Sequence, residues 1–404
     1  MKIKSIKAIT LSMPFSHGGK KVIFHGKEWK SLEFNLIRLE TDKGIVGWGE
    51  AFGFSSWKAV RVAIEEMVAP MIIGKDMSNI PELLLNLQKS LHLFGRYGIT
   101  MFAISGVEIA LWDAFGKEKN KPIHELLGKK NNDIFKAYSS LFRYGDPKII
   151  EQKCKQSLDD GYRAIKLHEI ENNCIEAGRK GTGDLPMMLD TNCPWTYEQT
   201  LAKKDFLKSM NLTWLEEPIY PPEDYQTLAK LNKELGIPLA CGENACTEYE
   251  FKSMIDHKAV SFVQPSVIKV GGIYEMFKII NIAEDKNISV MPHTAYFGPG
   301  FLATLQLAAL MKKETYIERF YLDIEEEFYP TNLFRGIQQV AYPDHDPVFG
   351  GECFFVDDRN VLDLSEAARQ ALVSSKPMAP LCRPDCRGIC PQCTIDRNFG
   401  GCSC

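Results

Sequence analysis

The chain has 404 residues and a mass of 45.7 kDa, too long for one compact core of ordinary size, so two or more domains are expected. Its 45% hydrophobic and 25% charged residues exclude general disorder and low-complexity polymers. A net charge of −4 and a pI near 6.1 argue against a bulk nucleic-acid or polybasic membrane binder. No apolar run approaches the roughly 18 residues of a spanning helix. The N-terminus reads as alternating strand rather than as a signal peptide, so a cytoplasmic location is expected.

Residues 1–60 alternate apolar and polar positions in short runs, as in Ser31–Glu40. A turn at Thr41–Gly44 and a further run from Ile45 to Glu50 complete a small antiparallel meander. From about 57 to 128 the period becomes helical, most clearly from Ile104 to Phe115, and Gly128 stands where a helix end is wanted. After residue 134, short apolar strands about 25 residues apart alternate with amphipathic helices. The strands are Phe135–Ser140, Ala164–Glu169, Leu185–Asn192, Leu212–Pro218, Pro238–Asn244, Ser261–Ser266, Ile288–Thr294 and Glu314–Phe320. Eight such units predict a parallel (β/α)8 barrel. A doubly wound open sheet is the alternative, and no Gly-rich dinucleotide fingerprint after the first strand favours it. Residues 340–360 are turn-rich and lead out of the barrel, and Ser365 is placed to cap a short helix.

The strand ends carry a chemically coherent set. Asp190, Glu216 and Glu243 end the third, fourth and fifth strands, and the mouth of a barrel brings strand ends together. Three carboxylates at one point repel unless a cation joins them, and all-oxygen ligation favours Mg²⁺ over zinc. Lys166 and His168 share one face of strand two by the period of two, while His293 ends strand seven across the barrel. Bases on both sides of a metal-bound carboxylate suit abstraction of an α-proton, the metal neutralising the developing enediolate. Any one strand-end carboxylate is as well explained by a loop salt bridge, and a lone histidine by structure; the joint pattern is what points to chemistry. Glu217 points opposite to Glu216 and reads as a supporting group.

Over about residues 1–355 the sequence resembles the mandelate racemase branch of the enolase superfamily. The resemblance rests on Gly47–Glu50, the helix Ile109–Lys117, the stretch from Pro122 to Gly128, and Leu215–Pro218. It implies an α+β capping domain over 1–130 and a modified (β/α)8 TIM barrel over 131–355. It also implies Mg²⁺ held by Asp190, Glu216 and Glu243, with Lys166 near the substrate carboxylate. His168 then takes the place of the second lysine of a Lys-x-Lys base motif, His293 is the opposite acid/base, and Glu318 bonds the substrate carboxylate. Two departures matter. A histidine base titrates nearer neutral pH, and Ser266 stands where many members carry an Asp paired with the strand-seven histidine. Without that partner a symmetric racemase is disfavoured and elimination fits better.

The substrate is expected to be a sugar acid, with dehydration ranked above cycloisomerisation and epimerisation. Specificity is expected from two capping loops, one bearing His17, His25 and Trp29 and one spanning Phe52–Trp57, with Asn192 at the barrel mouth as a further substrate contact. A homo-oligomer is also expected. Cysteine use is uneven: six of the 12 crowd the end of the chain as Cys382, Cys386, Cys390, Cys393, Cys402 and Cys404. Residues 362–404 resemble the C-terminal segment of YceD-type proteins associated with ribosomal RNA accumulation, through Pro377-Met378, Pro380–Cys386 and Gly388–Cys393. Thiolates at short spacing point to zinc on Cys382, Cys386, Cys390 and Cys393. A binding role carried by this tail, nucleic acid included, is the rival of the enzyme reading.

Overall fold

A computed structural model describes residues 1–324 apart from His25 and Asp133. The turn-rich exit, the helix capped by Ser365 and the tail cysteines lie outside the described residues, as does the His25 side chain.

The N-terminal part is built on an antiparallel meander of Ile3–Ser16, Ser31–Thr41 and Val46–Ala51. Its tight turn closes through the Gly44 amide on the Thr41 carbonyl at 3.0 Å, with Gly44 at φ +76°. One face of the sheet is covered by the helix Ile99–Lys119, which approaches so closely that side chains are excluded. A Cβ at Gly47 would lie 2.1 Å from the Ala110 carbonyl oxygen, and one at Gly49 2.0 Å from that of Gly106. The two glycines of Gly47–Glu50 are thus contact points for helix backbone. Asp113 secures the register, accepting from the Trp48 amide at 2.8 Å and from Lys117 Nζ at 2.9 Å.

This helix corrects two sequence expectations. It runs longer than Ile104–Phe115 and ends at Asn120 in the left-handed region, whereas Gly128 terminates the separate helix Ile123–Leu127. By length and composition it could cross a membrane, although Glu108 and Asp113 interrupt its apolar run. However, 83% of its apolar stretch is buried inside the fold, so it is a core helix.

All eight expected barrel strands form: Lys136–Leu141, Ile165–Leu167, Met187–Asp190, Leu215–Glu216, Leu239–Cys241, Phe262–Val263, Ser289–Val290 and Tyr316–Tyr321. Each pairs in parallel with its predecessor up to the seventh, and the eighth pairs with the first, as in Ile317 opposite Ala137. That order curls the sheet into a modified barrel and excludes the open doubly wound alternative. No backbone ladder joins the seventh and eighth strands among the described residues. Side chains close that seam. Thr315 Oγ1 donates to the Val290 carbonyl at 2.8 Å, Thr294 Oγ1 to the Glu318 carbonyl at 2.7 Å, and the Thr294 amide to Glu318 Oε2 at 3.0 Å. Tyr138, Ala164, Met188, Trp214, Ala240 and Met291 fill the barrel interior, so it is a packed core below the mouth.

Two buried carboxylates dock the capping part on the barrel. Glu50 accepts from the amides of Gly298 and Gly300 at 3.1 and 2.9 Å, at the start of the helix Pro299–Ala308. Glu108 accepts from Ile273 and Tyr274 at 2.6 and 2.8 Å, at the start of the helix Ile273–Asp285. Beyond the eighth strand, Asp323–Ile324 returns to pair with Phe15 and Ser16.

Candidate active site

The strands are shorter than the sequence suggested: Lys166, Asp190, Glu216 and Glu318 lie in their last residues or interior, while His168, Asn192, Glu243 and His293 stand just past the ends, at the same mouth. Asp190, Glu216 and Glu243 come together there, each offering an oxygen within 4.8 Å of the others. Asp190 and Glu216 are buried to 1% and 0% exposure. Three carboxylates this close are unstable without cations, and oxygen-only donors suit a hard divalent ion. The donor set therefore fits Mg²⁺.

Three basic side chains face these carboxylates. Lys166 Nζ, wholly buried, lies 2.9 Å from Glu216, 2.8 Å from Glu318 and 3.3 Å from Asp190. Burial pulls its pKa down, but Glu216 and Glu318 outweigh that and hold it well above the usual lysine range. His168 Nε2 faces Asp190 at 3.2 Å and His293 Nε2 faces Glu243 at 3.0 Å. For His168, burial is likewise outweighed by Asp190, and its pKa is raised. The carboxylates respond unequally. Burial and the neighbouring Asp190 push Glu216 up to about 7. In Asp190 burial is overcome by Lys166 and His168, holding it below its usual range, and in Glu243 by His293, holding it at about 2.

His168 Nδ1 is 2.6 Å from the Leu141 carbonyl, which accepts only from an N–H. That bond places a proton on Nδ1 and leaves Nε2, facing Asp190, as the nitrogen that gains or loses a proton. His293 differs: its buried Nδ1 has no hydrogen-bond partner among the described residues, and Ser266 in the neighbouring strand-end loop supplies no carboxylate.

A cavity of about 540 Å³ opens above these groups. Its lining includes His168, Asn192, Glu243, His293 and Glu318 of the barrel and Trp29 of the first capping loop. Phe52 and Phe54 from the second loop join Phe142 and Phe320 in an aromatic wall. Asn192 is tied to Asp190 through both its amide nitrogens at 3.0 Å. Glu318 also accepts from Ser140 Oγ at 2.7 Å. His17 is not among the lining residues: it stacks on Phe142 with centroids 4.5 Å apart, and its Nδ1 accepts from the Gly19 amide. A larger cleft, about 800 Å³, lies between the helices Ile80–Ser90 and Ile273–Asp285 and holds none of these groups.

Among the polar lining residues, Arg143 and Lys269 escaped the sequence reading, and Asn244 was read only as a polar strand end. Arg143 donates through Nε to the His168 carbonyl at 2.5 Å and through Nη2 to the Thr191 carbonyl and Asn192 Oδ1 at 3.0 and 2.9 Å, bracing two strand ends. It lies two residues past strand one, beyond an apolar strand end that carries no polar signal of its own. Asn244 bonds Glu217, Glu243 and Lys269. Lys269 lies three residues past Ser266, too far for the strand-end rule. Glu217 does turn away from Glu216, at φ +43°, and burial with Glu243 nearby lifts its pKa well above the usual range.

The profile of the mandelate racemase/muconate lactonizing enzyme N-terminal domain matches residues 25–128, and that of the enolase C-terminal domain-like family matches residues 150–345. An arabinonate dehydratase of Saccharolobus solfataricus is 33% identical over 291 residues, covering 69% of this chain and 77% of the relative. The chain belongs to the mandelate racemase/muconate lactonizing enzyme family of the enolase superfamily. A D-galactarolactone cycloisomerase of Agrobacterium fabrum is 28% identical, over 68% of this chain and 75% of its own length. Among solved structures, an enolase-superfamily member from Polaromonas sp. JS666 superposes with a TM-score of 0.72 at 30% identity, covering 80% of this chain and 86% of that one. The 3,6-anhydro-D-galactonate cycloisomerase of Zobellia galactanivorans gives 0.70 at 26%, covering 80% and 88%. As an enolase-superfamily member the chain is an enzyme of the lyase/isomerase class that acts on carboxylate substrates, with a buried acidic triad typical of the superfamily's Mg²⁺ sites.

Proposed function

We propose that the enzyme is an Mg²⁺-dependent acid-sugar dehydratase. Asp190, Glu216 and Glu243 would hold the ion, which when bound supplies positive charge against the substrate carboxylate as the enediolate forms. His168 removes the α-proton at Nε2. The bond from the β-carbon to its hydroxyl then breaks, the oxygen leaves as water with a proton from His293, and the enol product tautomerises to a 2-keto-3-deoxy acid. Lys166 stays cationic and orients the carboxylate, because its ammonium is already engaged with Glu216, Glu318 and Asp190.

The observation that carries this reading is the inequality of the two histidines. Nδ1 of His168 is bound to the Leu141 carbonyl, whereas Nδ1 of His293 has no hydrogen-bond partner among the described residues. One group suited to taking a proton and one suited to giving it up fit elimination rather than symmetric racemisation. Relatives named as arabinonate, D-xylonate and D-galactonate dehydratases support it. The aromatic wall gives a specific reason for a second reading, cycloisomerisation of a lactone or anhydro ring, whose C–H faces would pack on Trp29, Phe52 and Phe54. A panel of aldonic and aldaric acids and their lactones, followed for 2-keto acid formation, separates the two. Appearance of 2-keto-3-deoxy acid supports dehydration; ring opening without it supports cycloisomerisation; turnover of neither class would overturn both. For the tail we propose, on its sequence alone, a zinc-binding appendage held by Cys382, Cys386, Cys390 and Cys393.

A further inference from the structure

Asn244 stands between the buried carboxylate of Glu217, the half-buried one of Glu243 and the buried cation of Lys269. Its Nδ2 lies 3.1 Å from each Glu217 oxygen and 3.2 Å from Glu243 Oε1, while its Oδ1 accepts from Lys269 Nζ at 3.2 Å. A side-chain amide has donors on one side and an acceptor on the other. Turned over, it would set its NH₂ against the ammonium and its oxygen against two carboxylates. Lys269 therefore fixes the direction in which the amide faces Glu243.

Lys269 is itself held from the capping side. It is 5% exposed and pairs with no carboxylate at ion-pair distance among the described residues. Its Nζ instead lies 5.0 Å from the ring centre of Phe52 and 5.9 Å from that of Phe102, a cation–π contact with two rings that touch each other at 4.8 Å. Phe52 lines the cavity and belongs to the second capping loop. A continuous set of contacts thus runs from the capping loop through Lys269 and Asn244 to Glu243.

We propose that Lys269 is a positioning residue that couples the seating of Phe52 over the cavity to the strength with which Glu243 holds the metal. This rests on the triad being the Mg²⁺ site but not on which reaction follows. When Phe52 is seated, the ammonium is held against the Asn244 oxygen, the amide donates to Glu243, and that carboxylate is oriented for ligation. When Phe52 is lost, Lys269 loses part of its cation–π support and Asn244 its fixed orientation. Outer groups of this kind change metal affinity by roughly 10–100-fold.

The test is calorimetric titration of MgCl₂ into the chelator-stripped full chain, comparing wild type, K269M, F52A and the double variant. K269M is expected to weaken Mg²⁺ binding by about 10-fold or more and F52A by about threefold or more. The double variant is expected to be no weaker than K269M alone, because both act through one chain of contacts. K269R, which keeps a donor and the cation–π contact, is expected to recover most of the affinity; a packing role would not show that recovery. Unchanged affinity in K269M, or two losses that simply add, would overturn the coupling while leaving the metal site intact. If K269M failed to fold, F52A decides alone, since unchanged Mg²⁺ affinity in it overturns the proposal. A wild-type chain that bound no Mg²⁺ would overturn both the coupling and the metal site beneath it.

Discussion

Replacing Lys166 with methionine removes the charge at the centre of the site while nearly conserving its volume. That ammonium lies within 3.3 Å of Asp190, Glu216 and Glu318, all at most 1% exposed. Removing one partner of a buried ionic cluster leaves uncompensated charge and costs about 3–5 kcal/mol. At roughly 2–4 °C per kcal/mol for a domain of barrel size, the melting temperature in chelator should fall by about 10 °C. Mg²⁺ supplies replacement positive charge, so saturating metal should stabilise K166M more than wild type. The loss should also shrink as pH falls, because the abandoned carboxylates take up protons. Calorimetry at pH 7.5 and pH 5, with chelator and with saturating MgCl₂, reads all of these effects. A K166M chain melting within about 1 °C of wild type in chelator at pH 7.5 would refute the reasoning.

Burial lifts Glu108 from 4.5 to about 8 against the three hydrogen bonds it accepts. Its folded carboxyl is then protonated where the unfolded one is not, so its contribution is full below pH 4.5 and is lost as pH rises toward 8. E108Q should therefore flatten the fall of unfolding free energy across that window by up to about 1.4 kcal/mol per pH unit; denaturant titrations giving parallel slopes for the two proteins would contradict it. G49V forces side-chain atoms against the Gly106 carbonyl and should cost at least about 1–3 kcal/mol, read as a lowered denaturant midpoint. Truncation before residue 362 should leave turnover unchanged while removing any zinc found by elemental analysis; zinc retained by the truncated chain would place it elsewhere.

The barrel was legible because eight short apolar segments recur at even spacing, a pattern that few other parallel folds share. The triad was legible because carboxylates ending three adjacent strands must converge. Residues acting through tertiary contact left weaker signals. Asn244 and Lys269 are of ordinary type, and only the approach of Phe52 and Phe102 from another domain gives Lys269 its setting. Glu50 stood inside a recognised motif, yet nothing local says that it meets a helix start about 250 residues away. Thr294 and Thr315 close the seventh-to-eighth seam with side-chain bonds, which strand periodicity does not report. His17 was selected for its company of aromatic and polar neighbours. Its ring instead packs flat on Phe142, an outcome that composition cannot distinguish from cavity lining.

The division of labour between the two histidines is the centre of the proposed chemistry, and exchange in D₂O tests it most directly. With an acid sugar that the wild type dehydrates, solvent deuterium incorporation at the α-carbon is followed by NMR alongside 2-keto acid release. H168N should abolish both, a loss of about 10²–10⁴-fold or more for removal of a general base. H293N should retain α-exchange while losing product, because the leaving hydroxyl is no longer protonated. Normal turnover in H168N, or loss of exchange in H293N equal to its loss of product, would contradict the assignment.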